Sequence, residues 1–167
     1  MNRAFMDDPI STWLFPDRDD RDRLHPRFFG VFLDLGFATG QVLTTEDQAG
    51  LIVSWDEPPG QPDDDPTLNE RFQTELGNYH AQRVAMFVAL TGATHPRHEA
   101  HTYVPFVAVD PPKWGRGIGT QLLRAQLDTV TTPVYLEASS PRNAELYPRM
   151  GFAPWGEPVN LPGGPSL

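Results

Sequence analysis

Apolar residues recur at three- and four-residue steps between Asp22 and Phe37, with Phe28, Val31, Phe32 and Leu35 on one face, which predicts a helix. Gly36 and Gly40 mark its end. Residues 1–15 read as the end of a helix followed by the aromatic-rich stretch Trp13-Leu14-Phe15, and Pro16 to Asp20 form a polar break. Gln41–Thr45 and Ala49–Trp55 are short β-type runs joined by Glu46-Asp47-Gln48, a hairpin pattern. EPPGQPDDDP at 57–66 reads as a linker-like loop. Its three consecutive Asp residues lack the spaced oxygen ligands and terminal Glu of a calcium loop, so they read as solvated. Thr67 to about Leu90 is the longest helical pattern, with Leu68, Phe72, Leu76 and Tyr79 on one face. Thr67 would cap it and Glu70 complete a capping box, while Gly77 weakens it enough for two helices.

The second half alternates. Thr102–Val109 is a strand with Pro105 inside it, and Pro lacks the N–H a central strand needs. Either the strand begins after Pro105 or a bulge sits there. Gly117–Thr129 predicts a helix, Val134–Ala138 a strand, Pro141–Met150 a short helix and Phe152–Leu161 a final strand. The order β-α-β-α-β from Val107 onward implies an α/β fold whose mixed sheet has at least one parallel crossover.

Composition narrows the class. A length of 167 residues predicts one domain, 1–167, and 39% apolar with 21% charged residues is within the globular range. No apolar stretch approaches the roughly 20 residues of a membrane span, and the N-terminus has no apolar signal core. There is no cysteine, hence no disulfide and no thiolate chemistry. A cytoplasmic protein fits these features. The net charge of −9 argues against nucleic-acid binding; it suits a cationic small substrate and equally a plain solvated surface.

The segment 107–123, VAVDPPKWGRGIGTQLL, places a glycine-dense turn between a strand and an amphipathic helix. Gly115, Gly117 and Gly119 leave the backbone bare where the first helical N–H groups lack partners and the macrodipole is positive, an arrangement suited to phosphate. A Walker A loop is excluded, because Gly119 is followed by Thr120-Gln121 with no Lys. A dinucleotide fingerprint lacks its third glycine, although Glu137 stands about 20 residues on, and too little chain follows Glu137 for a doubly wound sheet. The register Trp114-Gly115-Arg116-Gly117-Ile118-Gly119 resembles the coenzyme A pyrophosphate loop of the GNAT superfamily of N-acetyltransferases, with Trp114 in place of the usual Gln or Arg. A glycine-rich turn without a binding role is the bland alternative.

YLEASSPRNAELYPRMGF (135–152) resembles the segment that follows in that superfamily: strand, Asn-bearing turn, short Tyr-bearing helix, then Gly-Phe. Within the superfamily, residues 133–152, AFMDDPISTWLFPD (4–17) and SWDEPPG (54–60) are most similar to the puromycin N-acetyltransferase-like group. The resemblance implies a mixed, mostly antiparallel sheet with flanking helices. Members of that group carry a further strand and part of a helix before the AFMDDP stretch, and a last strand after the GGP. Both sheet edges are therefore expected to be trimmed or completed by a partner chain, as in a homodimer.

The same resemblance implies the chemistry. Residues 1–100 would form the acceptor side and 101–161 the half that binds acetyl-coenzyme A. The co-substrate would lie in a V-shaped gap between the strands Thr102–Val109 and Val134–Ala138. Backbone groups at Val107, Ala108 and Val109 would pair with its pantetheine arm and polarise the thioester carbonyl. The loop Trp114-Gly115-Arg116-Gly117-Ile118-Gly119-Thr120 would hold its pyrophosphate. Arg116 would add a charge contact or remain solvated. Asn143 would contact the coenzyme arm or cap a helix beside Pro141. Tyr147 would donate a proton to the leaving thiolate, or pack a short helix. Glu137 and His101 are candidate bases, followed by Asp56, Glu57 and ordered water. His95, His98 and His101 recur every three residues, but Pro96 argues against a helical metal site and the reaction needs no metal. Phe5, Asp8, Trp13, Phe15, Phe28, Phe32, Trp55 and Tyr79 are candidates for an aromatic acceptor pocket with an acid to hold an amine, or for ordinary core. The implied activity is direct ternary-complex transfer of an acetyl group from acetyl-coenzyme A to a primary amine on a small molecule. The alternatives are a coenzyme-A-binding sensor without transfer activity and a protein-modifying acetyltransferase.

Overall fold

The computed structural model describes residues 1–60 and 66–167, so the consecutive aspartates of the 57–66 loop lie outside the described residues. The elements run α1 (Asn2–Phe5), α2 (Pro9–Leu14), α3 (Arg18–Thr39), β1 (Gln41–Thr44), β2 (Gly50–Glu57), α4 (Pro66–Gly92), β3 (His101–Val109), α5 (Ile118–Leu127), β4 (Val134–Tyr135) and α6 (Pro141–Ala144). Short 3-10 turns lie at Pro111–Lys113 and Tyr147–Met150. The chain forms two compact units: Met1–Phe5, Phe29–Gln61 and Pro96–Leu136 in the first, Met6–Phe28, Pro62–His95 and Glu137–Leu167 in the second. Among the described residues no helix is long and apolar enough to cross a membrane.

The first unit holds a mixed four-stranded sheet in the order β1-β2-β3-β4. β1 and β2 form the expected hairpin, closed by Asp47 Oδ1, which accepts from Thr45 Oγ1 at 2.8 Å and from Ala49 N at 3.1 Å. β2 and β3 are also antiparallel, whereas β3 and β4 are parallel. The β2–β3 register slips in mid-strand: Val53 faces Phe106 and Trp55 faces Tyr103, so Ser54 alone opposes Val104 and Pro105. Of the two readings of Pro105, the bulge is the one observed, and it leaves the missing N–H outside the regular ladder.

Helices cover both faces of this sheet. On one face Phe106 meets Phe5 of α1 and Phe29 and Phe32 of α3, with ring centroids 5.7, 5.5 and 5.0 Å away. On the other, α5 buries Leu122, Leu123 and Gln126. Gly50 makes room for it, since a Cβ there would stand 2.7 Å from Ile118 Cγ2.

Helix α3 starts before Asp22, at Arg18, because the Asp17 side chain caps it and accepts from Asp19 N and Asp20 N at 2.9 and 3.0 Å. The helix continues through Gly36, which lies against Val53 and Val42 and ends nothing. α4 begins at Pro66 rather than at a Thr67 cap, and Gly77 interrupts it with φ 76° and ψ 163°, as its sequence anticipated.

The second unit packs α2 on α4 around Trp13, Leu14, Phe15, Leu24, Phe28, Phe72 and Val84. Arg83 sits 4.7 Å over the Trp13 ring, and the Trp13 indole donates to the Pro162 carbonyl at 2.9 Å. The expected final strand over Phe152–Leu161 is absent among the described residues. Pro154 and Pro158 remove ladder donors, and the chain turns back after the segment instead, with Val159 and Leu167 exchanging backbone hydrogen bonds at 3.1 and 2.9 Å.

Two glycines of α3 and its exit make opposite predictions. A Cβ at Gly40 would collide with the Ser54 carbonyl and lie 2.8 Å from Trp55 Cβ. Gly40→Ala is expected to lower stability by about 1–3 kcal/mol in urea unfolding. Gly30 is helical with open space around the missing Cβ. Gly30→Ala is expected to raise stability by about 0.5–1 kcal/mol in the same assay.

Candidate active site

In the first unit the chemistry gathers at the end of β3. The Asp110 N–H donates to the Ala49 carbonyl at 2.7 Å. Strand alternation therefore turns the backbone of Ala108 toward β2 and that of Val107 and Val109 toward the opposite edge. Of the three residues expected to present backbone groups, only Val107 and Val109 face that edge. β4 covers little of it. Its pairing is limited to Thr102 with Val134 and Tyr103 with Tyr135, against an expected strand reaching Ala138. The bulge begins at the next β3 residue, and β4 has no regular ladder to continue on. The edge from Val107 to Val109 is thus left without a strand among the described residues.

The chain then turns. Lys113 N and Trp114 N donate back to Asp110 O and Pro111 O at 2.8 and 3.1 Å. Gly115 and Gly117 both take left-handed backbone, with φ 75° and 77°. A residue with a Cβ would lose roughly 1–2 kcal/mol at each. Gly117 caps α5 without a side-chain hydrogen bond. The amides of Ile118, Gly119 and Thr120 therefore start the helix without intrahelical acceptors. Gly119 is not demanded by backbone or space: a Cβ there would stand at ordinary contact distance, 3.6 and 3.7 Å, from Val109 and Val107. Arg116 is exposed.

Trp114 is 53% exposed, and its indole N–H donates to the Val109 carbonyl at 2.7 Å. The residue that departs from the superfamily pattern thus occupies an edge carbonyl of β3. Sequence reasoning missed this contact, because nothing in the spacing from 109 to 114 forecasts where an indole N–H will point. His101, at the start of β3, is buried, with Nδ1 3.1 Å from the Glu99 carbonyl and its ring against Tyr135. Asp56 lies in a cleft of about 250 Å³ near the C-terminal end of α5, where Thr102 Oγ1 donates to it at 2.8 Å. It is therefore at the end of α5 remote from the glycine turn.

The second unit carries the remaining candidates. Tyr147 begins a 3-10 turn, and its ring lies 5.7 Å from that of Phe152. Burial, and then the nearby Asp8 carboxylate, hold its phenol above the ordinary tyrosine value and so keep it protonated. Asp8 is itself pushed upward by burial, opposed by hydrogen bonds from Ser139, Ser11 and Ile10. Asn143 is not a helix cap: Ser140 caps α6 by accepting from Asn143 N, and the Asn143 amide donates to Ser139 Oγ at 3.1 Å. The Ser140-Pro141 pair, a cap followed by Pro at the first helical position, was the available sequence signal. Glu137 is nearly buried, with Oε1 3.9 Å from His95 Nδ1. Trp13, Phe15 and Phe28 are buried in the core, the second of the two readings offered for them, and Tyr79 is exposed.

The sequence model of the acetyltransferase (GNAT) family matches residues 3–152. The solved structure of histone acetyltransferase HPA2 and related acetyltransferase from Corynebacterium glutamicum has a similar fold, with a TM-score of 0.66 and 24% sequence identity over 98% of this chain and 80% of that one. With a family match that spans most of its length, the chain belongs to the GNAT acetyltransferases.

Proposed function

We propose that the protein moves an acetyl group from acetyl-coenzyme A to a primary amine on a small molecule by direct transfer in a ternary complex. The observation that carries this reading is the left-handed pair Gly115 and Gly117 before the uncapped start of α5, next to a β3 edge with no paired strand among the described residues. The donor set fits the co-substrate. Bare amides from Gly115 to Thr120 suit a diphosphate, and the outward groups of Val107 and Val109 suit an amide-bearing arm. Asn143 is a further polar contact for that arm. Trp114 yields the Val109 carbonyl when the arm arrives, and its loop amides contribute to the pyrophosphate site.

In this scheme the amine nitrogen attacks the thioester carbonyl and the coenzyme leaves as a thiolate. Tyr147, held protonated, gives the thiolate its proton. The amine surrenders a proton to Glu137, His101 or ordered water. No metal is required. The similarity of residues 133–152, 4–17 and 54–60 to the puromycin N-acetyltransferase-like group supports a small-molecule acceptor and a cytoplasmic detoxifying role. Completion of the sheet edges by a second copy belongs to the same reading. A second reading, a coenzyme-A-binding sensor, is favoured by one contact: Trp114 on the Val109 carbonyl competes with the arm.

Free thiol release from acetyl-coenzyme A with a panel of primary amines tests the proposal. Release with at least one amine is expected; coenzyme binding without release across the panel would select the sensor. Gly117→Val puts a β-branched residue at φ 77° and shields the first α5 amides. It is expected to weaken acetyl-coenzyme A binding at least tenfold by calorimetry, and an unchanged Kd refutes the loop assignment. Tyr147→Phe is expected to lower kcat on the order of 10²-fold with acetyl-coenzyme A affinity held within about twofold. An unchanged kcat removes Tyr147 from the acid role.

A further inference from the structure

We propose that the cleft at the C-terminal end of α5 is a second small-molecule site, and that it takes a small organic cation rich in N–H donors, paired with Asp56. The site is separate from the glycine turn and does not rest on the acetyl-transfer reading.

Every residue that lines the cleft belongs to the first unit. Its volume of about 250 Å³ is far above the roughly 30 Å³ of a water molecule, so it is sized for a small organic molecule rather than a bare ion. α5 has 10 residues, so about 15 Å of helix separates the cleft from the glycine turn.

The lining presents acceptors, because much of its donor capacity is committed elsewhere. Thr102 Oγ1 donates to Asp56 Oδ1 at 2.8 Å, so Thr132 is the donor in the 2.9 Å contact between the Thr102 and Thr132 hydroxyls. Thr129 and Thr39 give their hydroxyl hydrogens to the carbonyls of Gln126 and Leu35, at 2.8 and 3.1 Å. A hydroxyl that has donated once keeps only lone pairs to offer. Gln126 is the buried end of this arrangement, 1% exposed. Its Nε2 donates to Gln41 Oε1 and Thr129 Oγ1, both at 3.4 Å, and its Oε1 has no hydrogen-bond partner. A buried amide carbonyl without a donor is unfavourable. Both Nε2 bonds are long and the terminal torsion of Gln is broad, so the amide can turn its oxygen toward a donor that enters the cleft.

The charges fix the sign of the ligand. Asp56 is exposed, and among the described residues no Lys, Arg or His lines the cleft or pairs with it. Two helices end beside it, α3 at Thr39 and α5 at Leu127, and helix C-termini carry partial negative charge. An anionic ligand would meet only repulsion there. One carboxylate is too few for a divalent metal, whereas an organic cation needs one countercharge. The net charge of −9 draws cations toward the protein before binding.

The probes are butylguanidinium and butylurea, which share a shape and differ in charge. Each is titrated from micromolar to millimolar into the full chain labelled with nitrogen-15, and amide shifts are followed by NMR. Butylguanidinium is expected to move the Gln126 side-chain amide and the backbone amides of 129–132, and butylurea to bind at least tenfold more weakly. No shift at these positions, shifts centred on 115–120 instead, or equal binding of the urea overturns the proposal. Asp56→Asn keeps an acceptor for Thr102 on an exposed side chain. It is expected to weaken butylguanidinium binding about tenfold, a loss of about 1.4 kcal/mol. Gln126→Leu removes the unpaired oxygen and is expected to weaken binding at least threefold without lowering Tm. Unchanged affinity in either variant also overturns the proposal, and Asp56→Asn decides alone if Gln126→Leu does not fold.

Discussion

A slip of one residue in the middle of β3 governs the first unit. Ser54 stands opposite both Val104 and Pro105, and past that point every backbone group on β3 has changed sides. Without the slip Ala108 would face outward and Val107 and Val109 would bond to β2. With it, two valines present their peptide groups along an edge that β4 abandons after Tyr135. The same slip explains why β4 is so short: a parallel partner needs evenly spaced donors and acceptors, and the irregular pair includes a proline that has no donor.

The glycine turn depends on that edge. Val107 and Val109 point side chains at Gly119, so α5 is seated directly over the end of β3. The turn between them must reverse within a few residues, and two left-handed positions achieve it. Side chains there would add strain and cover the amides, so one requirement of the backbone and one requirement of the proposed ligand are met by the same residues. Trp114 belongs to this assembly as well. Its large exposed ring is fixed by one hydrogen bond to the strand, which makes it both a brace for the turn and the first group to move in the proposed complex.

The second unit combines a rigid support with a polar network. Trp13, Phe15, Phe28 and Phe72 are packed and closed to solvent. The polar groups near them are short-range and mutually dependent: Asp8 caps α2, Ser139 bonds Asp8, Asn143 bonds Ser139, and Ser140 caps the turn that leads to Tyr147. Burial raises the titration of both the Tyr147 phenol and the Asp8 carboxyl; the Asp8 charge adds to the first, and the hydrogen bonds on Asp8 oppose the second.

Local rules carried much of this into the sequence. Alternation in 41–55, the helical period of 22–37, the turn chemistry of 114–119 and the break at Gly77 are set by nearest neighbours, and each was readable. So was the family, because its motifs are contiguous. Where α3 began and ended was less legible, since a cap at Asp17 and packing at Gly36 outweigh local propensity. The strand expected at 152–161 failed because apolar content says nothing about available donors, and two prolines there, Pro154 and Pro158, have none to give. By itself, then, the chain determined its element types as far as β4, its glycine turn and its GNAT membership. Only the tertiary structure decided which β3 peptides face outward, that the Trp114 indole meets the Val109 carbonyl, and that Asp8 acts electrostatically on Tyr147. Those three outcomes depend on register and on approach between residues distant in sequence, and neither is encoded in any short window of residues.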